Sequence, residues 1–231
     1  MISKQSVASP KAGNPIWMIF SVILLCGFLV FSLRTGVSYV VQYRTNAAIY
    51  VWQQSLAKKP SLNEWQDMLD SVEDMLVFDD KNPELLNVRG LLYFYRARNM
   101  PESVQKSLQD YKHAMVDYRA VIALRPAWPY GYHNLLYSKM LANEVDAEMH
   151  HSLLNLIKLA PWEKATLLDT VKASVFAWAS LDVQSRKVVK SYLLSVSDKR
   201  QGEVRLALSD RRYQAYFCKQ IVKGETVVLC Q

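Results

Sequence analysis

The apolar residues of the chain fall into three patterns. From Ile16 to Leu33 they run almost unbroken, IWMIFSVILLCGFLVFSL, with no charged side chain. After Pro60 they recur at spacings of three and four, as in Trp65, Leu69, Val72 and Leu76, which marks helices with one buried face. Beyond Val204 the pattern is mixed, with no single period. The first pattern predicts a helix that is apolar all round. Its eighteen residues rise about 27 Å at 1.5 Å each, enough to cross bilayer hydrocarbon. Trp17 stands at one end, and Tyr39 and Tyr43 follow the other, where amphipathic rings meet headgroups. Arg34 can reach back to the interface. A helix lying on the surface would be striped instead. A cleaved signal peptide is the rival reading, but the stretch is long for one, and no small-x-small site follows it. Leu24-Leu25 before Cys26 also make a poor lipoprotein site. The expected start is therefore a short tail over 1–15 and a transmembrane helix over 16–34.

Val37 to Leu56 carries no strong breaker, so a juxtamembrane helix is expected over 35–60, ended by Lys59-Pro60-Ser61. Ser61 or Asn63 can cap the next helix, with Glu64 in its first turn. Asp80-Lys81-Asn82-Pro83 closes that helix, with Asp79-Asp80 read as a turn. The sequence of amphipathic tail, proline and fresh helix then recurs at Pro126 and Pro161. Proline is tolerated at a helix start and breaks an interior. The fold class is thus mainly α: a transmembrane helix followed by a helical repeat-like domain over 61–185. A basic C-terminal helix and extended tail are expected over 186–231. Leu167 to Ala179 and Ser185 to Leu194 read as helices, as does Asp210 to Val222, and Glu225 to Leu229 reads as a strand or extended arm.

Charge refines this picture. The net charge is +7; the first 34 residues hold Lys4, Lys11 and Arg34 and no acid. Arg44 to Lys164 is almost balanced, and the region from Asp169 onward carries a surplus of +5. An ion-paired surface in the middle and a diffuse basic tail give no footprint for nucleic acid. Basic residues flank the apolar span on both sides, so the charge bias across it is nearly flat. A short basic head before an apolar helix nevertheless behaves as an uncleaved signal anchor. That places the domain outside a bacterial inner membrane, in the periplasm.

Candidate chemistry is sparse. His150 and His151 are adjacent and diverge on a helix, so they form no i, i+4 chelating pair; pairing of Asp146 with His150, or of Glu148 with His151, is a surface contact. The glycines Gly90, Gly131, Gly202 and Gly224 are single, and no phosphate-cradling loop or G-x-S-x-G elbow occurs. Glu64, Asp67, Asp70, Glu73 and Asp74 share a helix opposite Trp65 and Leu69 and read as its solvated face. No catalytic residue, metal site or cofactor is expected. Cys218 and Cys230 are the cysteines outside the apolar span, and in an oxidising compartment they would form a disulfide. The aromatic run Trp128-Pro129-Tyr130-Gly131-Tyr132 with Arg125, and Tyr95 in Tyr93-Phe94-Tyr95-Arg96, are the candidate partner- or glycan-binding residues. The rival is that these rings pack between helices.

Pro126 and Pro161 are 35 positions apart. With Gly90 and Tyr93 in one helix and Ala114, Tyr118, Val121 and Pro126 in the next, the chain resembles the tetratricopeptide repeat family in degenerate form. Tyr130, Tyr137, Leu153, Leu156 and Pro161 give a second copy, with His133 and Asn134 in place of the usual Leu and Gly. The resemblance implies stacked antiparallel helices. The anchor, the RPAWPYGYHNL segment and the length also resemble the membrane-anchored accessory proteins of vibrio-type exopolysaccharide (biofilm) clusters. That implies a non-enzymatic scaffold in polysaccharide biosynthesis or export, with inner-membrane or periplasmic protein partners. The alternative is a glycan-binding or chain-length accessory factor; a glycan-processing enzyme has least support.

Overall fold

The computed structural model describes residues 15–54, 59–225 and 227–230; almost all of the expected N-terminal tail, 1–14, lies outside them. The apolar span and the juxtamembrane helix are one element. Helix α1 runs from Pro15 to Gln54, 40 residues, and is long and apolar enough to cross a membrane. Its first half is exposed throughout, whereas Ser38, Thr45 and Ile49 are buried. Those three lie at helical spacing on one face, which docks against α2 (Leu62–Phe78) and α3 (Pro83–Asn99).

Local sequence sets the helix boundaries. Ser61 caps α2 in a reciprocal box: its hydroxyl accepts from the Glu64 N–H at 3.2 Å, and the Glu64 carboxylate accepts from the Ser61 N–H at 2.7 Å. This satisfies two otherwise orphaned donors. Asn82 caps α3, with Pro83 in the first turn, where its missing N–H costs nothing. Ser103 caps α4 (Val104–Leu124) and Asp146 caps α6 (Ala147–Leu159). Between them, α5 (Pro129–Leu141) starts on its own proline. Next come α7 (Lys164–Ala177), continued by a 3₁₀ turn over Trp178–Ser180, and α8 (Val183–Lys199), capped by Asp182. The chain ends in α9 (Gln201–Ala207), α10 (Arg211–Tyr216), a π turn over Phe217–Ile221 and a 3₁₀ turn over Val228–Cys230. The segment expected as a strand or arm after Gly224 is thus a tight turn where it is described. Cys218 is bonded to Cys230, with Cα atoms 5.5 Å apart.

Consecutive helices from α1 to α7 pack as hairpins, and α1 with α3, α5 with α7 and α7 with α9 lie side by side. The result is an all-α bundle. Trp65, Leu69, Val72 and Leu76, the expected stripe of α2, are buried, and the Trp65 indole donates to the Leu92 carbonyl at 2.9 Å. A Cβ on Gly90 would lie 2.6 Å from the Tyr118 ring, so only glycine lets α3 and α4 approach this closely. Buried ion pairs lock the same two helices: Arg89 grips Asp117 at 2.6 Å and Arg96 grips Asp110 at 2.5 Å. The Arg96 guanidinium also lies 3.8 Å from the centre of the Trp65 ring. The expected boundary at 185/186 is not a boundary of packing. One core runs from Tyr132 in α5 to Val227, and Phe217, Ile221 and Val222 close over it. Residue 185 itself sits inside α8.

Candidate functional site

The polar and aromatic side chains that converge lie in a groove of about 360 Å³ between α3, α5 and α7, closed at one side by the last turn of α1. Helix α1 contributes Gln53, α3 contributes Phe94 and Arg98, and Tyr118 of α4 forms the floor. Opposite stand His133, Asn134 and Tyr137 of α5 and Asp169 of α7. These four belong together. His133 Nε2 lies 3.2 Å from Asp169 Oδ2, and Nδ1 lies 3.1 Å from Asn134 Oδ1. Asn134 in turn donates to Asn87 Oδ1 at 3.0 Å. The Tyr137 ring stacks on His133 with centres 6.1 Å apart, leans on Phe94 at 5.5 Å and carries the Arg98 guanidinium at 5.6 Å.

Tyr118 is fully buried, and its hydroxyl has no hydrogen-bond partner. Burial pushes its acidity far from neutrality, so the hydroxyl stays protonated. Burial also raises the Tyr137 hydroxyl, helped by the nearby Asp169 carboxylate. The groove therefore offers an aromatic wall and a cation at its rim, while the orphan Tyr118 hydroxyl is sealed beneath it. It is less equipped for covalent chemistry. Among the described residues its lining holds no serine, threonine or cysteine that His133 and Asp169 would activate, and no cluster of three metal-ligating side chains occurs.

The side chains singled out from the sequence do not form one surface. Tyr95 is buried, its ring 5.3 Å from Trp52 and its hydroxyl 3.4 Å from the Trp52 carbonyl. Tyr132 is buried in the core of the second half, with His151 at 6.2 Å. Both are packing residues, which corrects the expectation that they face a partner. The physical reason is that α3 is covered by α1, α2 and α4, and α5 by α4, α6 and α7, so neither run of rings has much solvent to meet. Trp128 and Tyr130 are half-buried and lean on each other at 5.4 Å. Arg125 is held by Glu84 at the start of α3. Asp146 and Glu148 turn away from the histidines: both grip the buried Lys139, at 2.7 and 2.8 Å. His150 meets Ser180 instead, at 2.9 Å.

Sequence reasoning missed the groove because its members come from five helices. One signal was present: His133 and Asp169 are 36 positions apart, close to the spacing of Pro126 and Pro161, so one hairpin period carries each onto a neighbouring helix. Compared with known proteins, the chain matches no family model, no curated protein and no solved structure.

Proposed function

We propose that the chain is a membrane-anchored scaffold without catalytic activity, whose groove between α3, α5 and α7 holds a segment of a partner protein. The observation that carries this reading is the continuity of α1. Its apolar half is exposed, its other half is a wall of the domain, and Gln53 of its last turn lines the groove. Gln53 stands twenty positions beyond Leu33 on one helix, a rise of about 30 Å at 1.5 Å per residue. A groove held at a fixed height above a bilayer suits the presentation of a partner within a membrane assembly. The resemblance to exopolysaccharide accessory proteins directs the choice of partner to polysaccharide biosynthesis or export at a bacterial inner membrane, with the domain in the periplasm. The Cys218–Cys230 bond supports an oxidising compartment. A second reading, direct contact with glycan, draws on the Tyr137 ring and the Arg98 cation beside it, since aromatic rings stack on sugar faces.

A photo-crosslinking residue placed at Arg98 in the full chain, in its native membrane, tests this. A discrete adduct that protease removes, and that Tyr137→Ala weakens, supports the scaffold. An adduct sensitive only to glycan digestion supports the second reading. Crosslinking that Tyr137→Ala leaves unchanged overturns both.

A further inference from the structure

Direction along the bundle identifies which end faces the apolar half of α1. Helix α1 leads away from Ile16–Leu33, and each short turn reverses the chain. The α2–α3 and α4–α5 turns therefore sit at the end nearest that half, and the α3–α4 turn sits at the far end. Contacts fix the near end in place. Asp79, the residue that ends α2, pairs with Arg34 at 3.1 Å, one position past the last residue of the apolar run. Gln42 of α1 donates to Glu84 at 3.0 Å, and Glu84 holds Arg125 of the α4–α5 turn. Just before Asp79 stand Val77 and Phe78, 80% and 67% exposed. They fall off the buried stripe of α2 that ends at Leu76, and no neighbouring helix covers them. Leu124, beside Arg125, is also exposed.

We infer that this end of the bundle rests on the bilayer that carries α1, with Val77 and Phe78 inserted at the boundary of headgroups and acyl chains. The proposal rests on reading α1 as a membrane span. The headgroup layer is about 5–7 Å thick on each face, and Asp79 lies at the level of Arg34, so Phe78 falls within that layer. An apolar pair that would be a liability in water is suited to that depth. The charges here cancel: Arg34 pairs with Asp79, Arg125 pairs with Glu84, and Lys81 adjoins Asp80. Seating is therefore apolar in origin and does not depend on anionic lipid. The contact gives the domain a second foothold beside the helix and sets its tilt.

The test uses spin labels on single cysteines in the full chain with Cys26→Ser, reconstituted in vesicles of zwitterionic lipid with and without anionic lipid. Labels replace Phe78, Leu25 in the span, and Val104, which is 79% exposed at the start of α4. Accessibility to oxygen, which partitions into lipid, is compared with that to a water-soluble nickel complex. The expected result is a ratio at Phe78 severalfold above that at Val104 and below that at Leu25, unchanged by anionic lipid. A ratio at Phe78 equal to that at Val104, with Leu25 in lipid, overturns the seating and leaves the anchor standing. A Leu25 label in water overturns both. A Phe78 label shielded from both reagents places a second copy of the chain there and overturns the lipid assignment, and a ratio that rises only with anionic lipid overturns its apolar origin.

Discussion

The hydroxyl of Tyr118 is polar, buried and without a partner, directly under the groove. Leaving a buried donor unsatisfied costs about 1–3 kcal/mol, and the ring cannot swing away because Gly90 and α3 press on its edge. Tyr118→Phe removes the hydroxyl and keeps the packing. The variant is expected to be more stable than the parent by about 1 kcal/mol, read from urea unfolding of the full chain in detergent. A loss of stability would mean that the hydroxyl is satisfied within the protein. Lys139 presents the opposite case. It is buried, yet Glu144, Asp146 and Glu148 surround its ammonium, and Arg119 grips Glu148 from the other side at 2.6 Å. The hydrogen bonds from Arg119, opposed by partial burial and joined by those from Lys139, hold the Glu148 carboxyl down at about 2. A carboxyl depressed in the folded chain contributes stability above its unfolded value of about 4.3. That contribution is lost as pH falls from there toward about 2. Unfolding free energy measured across this window should decline with falling pH, and Glu148→Gln should flatten the decline. An unchanged slope would remove Glu148 from the linkage.

At the level of elements, what is legible in the sequence follows the range of the forces involved. Helix starts depend on a few adjacent residues, and so Ser61 with Glu64, the Asn82-Pro83 start and the α2 stripe from Trp65 to Leu76 can be read from the sequence alone. The join at residue 35 cannot. The composition changes there, from apolar to mixed, but nothing breaks the helix, and backbone hydrogen bonding takes no account of what surrounds the side chains. The tail is opaque for a different reason. Asp210 capping α10 is a local signal, whereas the turn over Val228–Cys230 forms in a segment clipped to Cys218. The groove is least legible of all. His133, Asp169 and Tyr137 acquire their meaning from the side-by-side packing of α5 and α7, and the orphan state of Tyr118 is a property of the packing between α3 and α4 rather than of any motif. The same packing explains the buried rings: Tyr95 and Tyr132 look exposable by residue type and are core because of what covers them.

Across the whole molecule, stability is shared by three adjoining clusters, and the last of them is closed by the chain's final residues. Phe217, Ile221, Val222 and Val227 are buried against α7 to α9, although they lie in short, irregular turns. Such turns hold few helical hydrogen bonds of their own, so the Cys218–Cys230 bond is what limits the freedom of this segment when the chain unfolds. For a loop this short, separation 12, a disulfide typically contributes about 2–4 kcal/mol. Cys218→Ala with Cys230→Ala is therefore expected to lower the unfolding free energy by about 2–3 kcal/mol, with α1 to α4 retained and the packing around Phe217 loosened. Hydrogen exchange checks this directly: protection should fall in α7 to α10 and hold in α2 to α4. A uniform fall would show that the bundle unfolds as one unit. The same bond reports on topology, because it persists only where the domain faces an oxidising compartment. In intact cells the two cysteines should resist a thiol-alkylating reagent until a reductant is added. Labelling without reductant would place the domain on the reducing side of the membrane, and the groove would then have to serve a partner there.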